Sequence, residues 1–275
     1  MKNGPGTGVY DHELRLEAYR FRRSFPKHFH EYYVIGYVEE GQGGLICKDE
    51  EYLLKAGNIV ICNPGDLHSC AESGASLDYW GLHIPKETML DLTGELTGRR
   101  ALPGFSQNVL FDEEAAWDYR ALHKQIMGGS REFGREDRML ALLSRLLRLC
   151  GRPLGYAAPG GAVERACAFM ERHYGERISL DRLCREAGLS KSALLRAFAR
   201  ERGVSPYSYL ESVRVGEAKK LLEQGIPPIE AALRTGFWDQ SHFTNYFSRF
   251  IGLAPGAYRE IFLDKAKPPG TGRQK

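Results

Sequence analysis

The apolar positions change rhythm twice along the chain. Between residues 19 and 111 they come in short runs rich in β-branched and aromatic side chains, cut by turn signals. Glu31 to Val38 is stopped by Glu39-Glu40-Gly41-Gln42-Gly43-Gly44; Leu45 to Cys47 and Glu51 to Leu54 flank a charged turn. Asn58 to Cys62 follows Gly57 and ends at Asn63-Pro64-Gly65-Asp66, and Leu77 to Ile84 is a further run. Short strands at this spacing predict an all-β sandwich or barrel. The period then lengthens. Asp112-Glu113-Glu114 opens a stretch carrying Ala116, Tyr119, Leu122, His123 and Ile126 and stopped by Gly128-Gly129. A second stretch, Arg135 to Cys150, sets Leu142, Leu143, Leu146 and Leu149 among Arg138, Arg145 and Arg148. This spacing predicts a helical hairpin whose apolar face must be buried, against the strands, against a second copy, or both. Residues 151–161, rich in Gly and Pro, read as a flexible linker.

Ile178 to Glu260 says nearly the same thing twice. Leu183 to Leu189, then Leu194, Phe198, Gly203, Pro206 and Tyr209, align with Ala231 to Phe237, then Phe243, Phe247, Gly252, Pro255 and Tyr258. Each run predicts a short helix, a tight Gly-containing turn and a second helix. Val163, Ala166, Phe169 and Met170 form the apolar face of a preceding helix, and Ser179, Ser190 and Asp239 are expected N-caps. Pro206 starts a helix of about 27 Å that joins the units, stopped by Gly225. In the second unit Ile229, Ala232 and Leu233 are expected in the core. Once core positions are removed, the first reading helix leaves Lys191, Ser192, Leu195, Arg196 and Arg200 outward. The second leaves Gln240, Ser241, His242, Thr244 and Asn245, with Arg249 behind them. Arg196 suits bidentate contact to guanine and Leu195 a thymine methyl; Gln and Asn suit adenine. Arg249 suits phosphate.

Ala187-Gly188-Leu189-Ser190, Gly236-Phe237-Trp238-Asp239-Gln240-Ser241-His242-Phe243, Phe247-Ser248-Arg249-Phe250-Ile251-Gly252-Leu253-Ala254-Pro255 and Tyr258-Arg259 together resemble the DNA-binding domain of the AraC/XylS transcription regulators. The resemblance covers residues 162–262. It implies seven helices in two subdomains entering successive major-groove segments, with reading positions at Ser192, Leu195 and Arg196 and at Gln240, Ser241, His242, Thr244 and Asn245. Asn245 stands where the family often carries a basic residue.

Upstream, His28-Phe29-His30 ahead of a strand, Gly41 and Gly43, Gly57, and Pro64-Gly65-Asp66-Leu67-His68 resemble the cupin double motif, and so the sensing domain of the same regulators. Alternate residues of a strand share a face, so His28 and His30 can both point inward, and His68 can close a triad. Enzymatic cupins add a Glu where Val34 and Ile35 stand, and a later Asn near the place of Glu72; Glu31 would face the other way. The three histidines are therefore expected to line a pocket without a cofactor, a divalent metal on His28, His30 and His68 being the alternative. Tyr32, Tyr79, Trp80 and His83 are candidate lining for a sugar or another small polar ligand, with plain core as the competing role.

Charge sharpens the division. The net charge of +3 splits into 19 basic and 13 acidic side chains after residue 161, against 19 and 22 before it. A basic C-terminal half behind an acidic N-terminal half fits one end meeting phosphates. The six cysteines show no CxxC pair, which suits a reducing cytoplasm, and neither a signal peptide nor a membrane-spanning run is expected. The expected fold is a two-domain α+β chain with a cupin-like jelly-roll barrel and helical hairpin followed by an all-α tandem helix-turn-helix domain. Its parts are a partly disordered 1–18, a barrel at 19–111, a dimerising hairpin at 112–150, a linker at 151–161, the DNA-binding domain at 162–262 and a flexible tail at 263–275. The expected function is a cytoplasmic, non-enzymatic transcription regulator, activator or dual, that binds double-stranded DNA as a homodimer and responds to a small-molecule effector. An activator would also meet RNA polymerase. The alternatives are a metal-dependent cupin enzyme fused to a DNA-binding domain, and a ligand-independent regulator whose barrel is a scaffold.

Overall fold

The computed structural model describes residues 7–21, 25–72, 77–128, 134–153, 161–202 and 204–263. Its first part is built from β1 (Thr7–Asp11), β2 (Leu16–Phe21), β3 (Phe25–His28), β4 (Tyr33–Glu40), β5 (Gln42–Cys47), β6 (Glu50–Lys55), β7 (Asn58–Cys62), β8 (His68–Glu72) and β9 (Asp78–Ile84). Helix α1 (Lys86–Thr97) follows, then β10 (Pro103–Phe105), β11 (Val109–Phe111), α2 (Glu113–Met127), α3 (Arg135–Cys150) and β12 (Gly151–Pro153). The strands form a six-stranded sheet, β1-β2-β9-β4-β7-β11, and a four-stranded sheet, β3-β8-β5-β6, facing each other as a jelly roll. Every pairing in them is antiparallel.

Both faces of the six-stranded sheet are covered, which is why β4 is buried almost from end to end instead of alternating. Val34, Val60 and Cys62 point between the sheets towards Leu45 and Leu54. Ile35, Tyr37 and Leu82 point the other way, against Tyr119 and Leu122 of α2 and Leu142 and Leu146 of α3. The Tyr119 hydroxyl, buried there, lies 3.0 Å from the Ile35 carbonyl and 2.9 Å from that of Trp80, pinning α2 to the sheet. Asp112 caps α2 by accepting from the Ala115 amide at 2.9 Å. The hairpin thus packs on the strands, while Leu149, expected on its buried face, is 45% exposed.

Several boundaries differ from expectation. Residues 7–11, placed in a partly disordered leader, are a strand paired with β2, so the sheet begins before residue 19. β1 is a half-buried edge beside Gly and Pro, so its composition hides it. Helix α1 shows no apolar stripe in the sequence because two of its four buried side chains are Thr88 and Thr93. Gly151 to Pro153, read as the start of the linker, pairs with β10. Residues 154–160, like 1–6 and 264–275, lie outside the described residues.

The second part holds seven helices among the described residues: α4 (Ala162–His173), α5 (Leu180–Ala187), α6 (Lys191–Arg202), α7 (Pro206–Glu223), α8 (Pro228–Arg234), α9 (Gln240–Ile251) and α10 (Pro255–Leu263). The twofold pattern is realised side chain by side chain. Leu194 and Phe243 are buried, as are Phe198 and Phe247, Pro206 and Pro255, and Tyr209 and Tyr258. Gly188 and Gly236 take left-handed φ values of 68° and 81° at the matching turns, where only glycine sits without strain. Helix α8 departs from expectation. It buries only Ala231 and Ala232, and Ile229 and Leu233 are 54% and 64% exposed. Seven residues make barely two turns, and the narrow buried face takes the small side chains.

The two parts share a core. Tyr19 and Phe21 of β2 pack with Val215, Ala218 and Leu222 of α7 and with Phe243 and Phe247 of α9. Inside this contact lies a buried charge. Glu17 accepts from Lys219 Nζ at 3.0 Å, from the Tyr19 hydroxyl at 2.5 Å and from the Tyr258 hydroxyl at 2.8 Å. Burial alone would raise the Glu17 carboxyl, but Lys219, with help from the nearby His83 and from Tyr19, more than reverses this and holds it well below the usual range. The Tyr258 hydroxyl also lies 2.7 Å from Glu223 Oε1, a carboxyl that burial raises, so the one hydroxyl is shared between two buried carboxyl groups.

Truncating Glu17 leaves Lys219 buried and uncompensated, so Glu17→Ala should lower stability by about 3–5 kcal/mol in urea unfolding, and adding Lys219→Met should restore part of the loss. A single-variant loss within about 0.5 kcal/mol of zero, the level of an ordinary surface change, would show that the pair does not hold the domains together. Because the Glu17 carboxyl is depressed, its contribution is complete above its ordinary value of 4.5 and is lost as pH falls through the lower folded value.

Candidate nucleic-acid interface and sensing cluster

Helix α6 begins after the Gly188 turn, with the Ser190 hydroxyl 3.4 Å from the Ala193 amide. It buries Leu194, Ala197 and Phe198 and leaves Lys191, Ser192, Leu195 and Arg196 exposed. Lys191 Nζ sits 2.9 Å from Asp181 Oδ1, so a phosphate must compete with that carboxylate. The side chain of Arg200 lies outside the described residues. Helix α9 is capped by Asp239, which accepts from the His242 amide at 2.6 Å, and buries Phe243, Phe247 and Ile251. Gln240, Ser241, Asn245 and Arg249 are exposed and Thr244 is half-buried. His242 is only partly outward: its ring lies edge-on to Phe237 at 5.7 Å and to Tyr246 at 4.8 Å, so it helps fix the helix end. Both helices therefore present a polar row beside an apolar anchor row, the arrangement by which such helices offer side chains to base edges. Each buried row fixes which side chains remain free to read.

At the barrel end four histidines and Tyr32 converge. His28 closes β3 and faces its register partner His68 on β8; His83 comes from β9, and His30 and Tyr32 from the loop before β4. The strand ends at His28, so it is the loop, not strand alternation, that turns His30 inward. His28 Nε2 and His30 Nε2 are 3.0 Å apart. Ring centroids lie 4.4 Å apart for His28 and His68, 5.7 Å for His30 and His83, and 4.5 Å for the stacked His30 and Tyr32. Burial, reinforced by neighbouring histidines, holds His28 and His30 well below the usual imidazole range, and burial also lowers His68 and His83. Burial thus disfavours the charged form of all four rings. The Tyr32 hydroxyl is buried without a hydrogen-bond partner, and His83 Nδ1, also without one, faces Glu17 Oε2 at 3.7 Å, so polar capacity is left there for a ligand.

Trp80 does not join them. Along β9 His83, Gly81 and Tyr79 face one side, and Trp80 and Leu82 the other, where Trp80 stacks on His123 of α2 at 4.8 Å and donates to Asp78. The period of two that brings His83 inward carries Trp80 to the hairpin side, so it is core there. Tyr79 does face inward, its hydroxyl over Gly36, where a Cβ would collide with it.

Two cavities adjoin the cluster. A small one of about 30 Å³ is lined by His28, His30, His68 and His83 and closed by Phe250 and Ile251 of α9. A larger one of about 510 Å³ opens between the domains, where Glu17, His30, Tyr32 and His83 face Gly216, Lys219 and Glu223 of α7. Phe250 and Ile251 line this one too. Glu17 and Lys219 escape a reading by sequence. Their only signal is a charged residue inside an apolar stretch, Leu16-Glu17-Ala18 in a strand and Ala218-Lys219 on a helix with Val215 and Leu222.

Residues 183–261 match the model of a helix-turn-helix domain, and residues 12–146 that of an AraC-like ligand-binding domain. The chain is 42% identical over 249 residues to YbfI of Bacillus subtilis (strain 168), named as an uncharacterized HTH-type transcriptional regulator, covering 88% of this chain and 90% of that one. It is 24% identical over 241 residues to the arabinose operon regulatory protein of Escherichia coli (strain K12), covering 82% and 80%. Among solved structures, apo ToxT K231A from Vibrio cholerae strain SCE256 has a TM-score of 0.60 at 16% identity, covering 92% of this chain and 99% of that one. The unsaturated fatty acid bound wild-type ToxT of the same strain has a TM-score of 0.57 at 16% identity, covering 95% and 97%.

Proposed function

The chain belongs to the AraC family of HTH-type transcription regulators, and on that premise we propose that it binds a small polar effector in the cavity between its domains and reads DNA with two unequal helices. The observation that carries the proposal is the matched placement of α6 and α9. Their anchors are buried at equivalent positions, and Arg196 on one corresponds in the alignment to Asn245 on the other. The first helix offers a bidentate guanine contact at that position, and the second an amide suited to adenine. Arg249 lies in the last turn of α9, where a cation serves a phosphate.

For the effector, the 510 Å³ cavity falls within the range of about 300–1,000 Å³ usual for small-molecule sites. It unites the Tyr32 hydroxyl and His83 with the Glu17–Lys219 pair, which suits a ligand with polar groups and a small apolar body. The chain works as a homodimer through the α2–α3 hairpin, whose exposed side carries Trp117 and Leu149. It acts in the cytoplasm; no helix among the described residues is long and apolar enough to cross a membrane. As an activator it contacts RNA polymerase. Matches to transcription regulators across both domains favour this over an enzyme fused to a DNA reader.

Selection of bound sites from random DNA with the full chain should enrich paired half-sites, and recovery of unselected sequence would sink the sequence-specific reading. Arg196→Ala should weaken specific binding by about 1–3 kcal/mol and relax preference at one or two base pairs; unchanged affinity would mean α6 does not read bases. Arg249→Ala should weaken all sequences alike and reduce the salt slope by about one; a loss confined to one base position contradicts the phosphate role. Gly216 faces the large cavity with open space where a Cβ would sit. Gly216→Leu should therefore fold and bind DNA while losing the thermal shift given by any effector that stabilises the wild type; an undiminished shift places the effector elsewhere.

A further inference from the structure

Charge in the large cavity between the domains is unbalanced, and the imbalance discriminates among effectors. Given an effector bound there, as proposed above, we propose that it is an aliphatic amine. Its ammonium group sits on Glu223 and the Tyr32 hydroxyl, and its hydrocarbon stem lies along α7 past Gly216. Among the described residues, six carboxylates line the cavity against three amines. Each amine already has a carboxylate: Lys219 lies 3.0 Å from Glu17, Lys86 2.6 Å from Glu31 and Lys220 2.5 Å from Glu217. Glu87, exposed at the rim, has Arg100 3.7 Å away. Glu171 and Glu223 remain. Each has a neutral tyrosine hydroxyl as its hydrogen-bond partner, Tyr209 at 2.6 Å and Tyr258 at 2.7 Å.

Of these two, Glu171 is exposed and Glu223 half-buried, so Glu223 is the carboxylate that a ligand removes from water. Burial, with the Glu17 charge adding to it, raises the Glu223 carboxyl even though Lys219 is near. That is the direction of a carboxylate lacking its own counter-charge. The second observation is independent of charge: the Tyr32 hydroxyl, buried without a partner, lines the same cavity. The faces of its ring are taken, with Lys219 Nζ 4.2 Å from the centroid and His30 stacked at 4.5 Å, so recognition falls to the hydroxyl. An ammonium group has several N–H donors. One goes to Glu223 and one to the Tyr32 oxygen, the first being charge-assisted. Glu17, Glu223 and Lys219 then become part of two complete ion pairs.

Other ligand classes fit less well. An anion finds every amine of the cavity already paired and meets Glu223 and Glu171 as like charges. A neutral polyol can bond to Tyr32 and Glu223 but leaves the excess charge uncompensated. Shape points the same way. The cavity is lined by α7 from Ser212 to Glu223, about 16 Å of helix, with Val213, Gly216 and Phe29 in the lining. An extended apolar stem follows that wall better than a compact sugar does. Glu87 and Glu171 add negative charge at the opening, which draws cations towards it.

Full-length protein is titrated by calorimetry with hexylamine, hexanol, hexanoate and glucose, probes that separate charge from shape. The expected result is one hexylamine per chain, bound roughly tenfold or more tighter than the other three. That affinity should fall by roughly tenfold in Glu223→Gln, whose amide oxygen still accepts from Tyr258, and by a smaller factor in Tyr32→Phe. It should stay at the wild-type value in Glu51→Gln, which removes an exposed carboxylate on β6 away from the cavity. Circular dichroism checks that each variant is folded. No hexylamine binding, tighter binding of hexanoate or glucose, or undiminished affinity in Glu223→Gln overturns the proposal. Gly216→Leu separates this from the cavity itself. Binding that favours another probe and is lost in Gly216→Leu overturns the amine alone; hexylamine binding that survives Gly216→Leu overturns the cavity as the effector site.

Discussion

The relation between the two domains depends on one buried carboxylate. Glu17 sits in β2 with Lys219 and two tyrosine hydroxyls as its donors, and all four residues are buried. A charge so placed is costly without partners and stable with all of them. That makes it a poor glue but a good register: any sliding of α7 over the sheet strips Glu17 of Lys219, and a shift of α10 strips it of Tyr258. The aromatic and aliphatic contacts around it, Tyr19 and Phe21 against Val215, Ala218 and Leu222, supply the non-directional attraction. Directional and non-directional terms thus divide the work, one fixing where the domains dock and the other how strongly.

The tandem units inherit their geometry from this docking. The α9 helix lies against the barrel through Phe250 and against its own domain through Phe243, Phe247 and Ile251, leaving one polar row outward. In α6 the corresponding work is done by Leu194, Ala197 and Phe198 within the helical domain. The two reading helices are equivalent by sequence and unequal by support, since α9 packs on the barrel through Phe250 as well as on its own domain. The inequality matches their chemistry: a cationic row on α6 suits tight base contact, and the mostly neutral row on α9 suits a contact that can be given up.

Much of this was legible in the sequence because local rules and tertiary packing agree. The bounds of α3, the acidic start of α2, the caps at Ser179 and Asp239, and the paired anchors follow from period and capping alone. Legibility failed where a local pattern had two physical outcomes. Apolar residues in α8 look like core, yet a seven-residue helix buries its alanines and leaves Ile229 and Leu233 outside. Trp80 looked like pocket lining until the period of two in β9 assigned it to the opposite face from His83. β1 and α1 lack apolar stripes, and only the neighbours they pack on reveal them. Glu17 and Lys219 lie 202 residues apart, and no window on the sequence contains both.

That separation also says how sensing can reach DNA. An occupant of the large cavity touches β2, the His30 loop and α7 together, and Phe250 and Ile251 place α9 on the same wall. Any molecule that binds there meets groups from both domains, so its binding free energy depends on how they are docked. A ligand shifts an equilibrium only by the difference in its affinity for the two arrangements. Contacts confined to the barrel interior would not differ between docked and undocked states; contacts across the interface must. Linkage makes the effect reciprocal, so DNA that prefers one placement of α9 also alters affinity for the occupant. The buried Glu17 network keeps this from becoming a gradual slide, because its donors can be kept together or lost but not stretched. On the proposed reading the coupling would run between discrete arrangements, with α9, which packs on both domains, placed to differ between them.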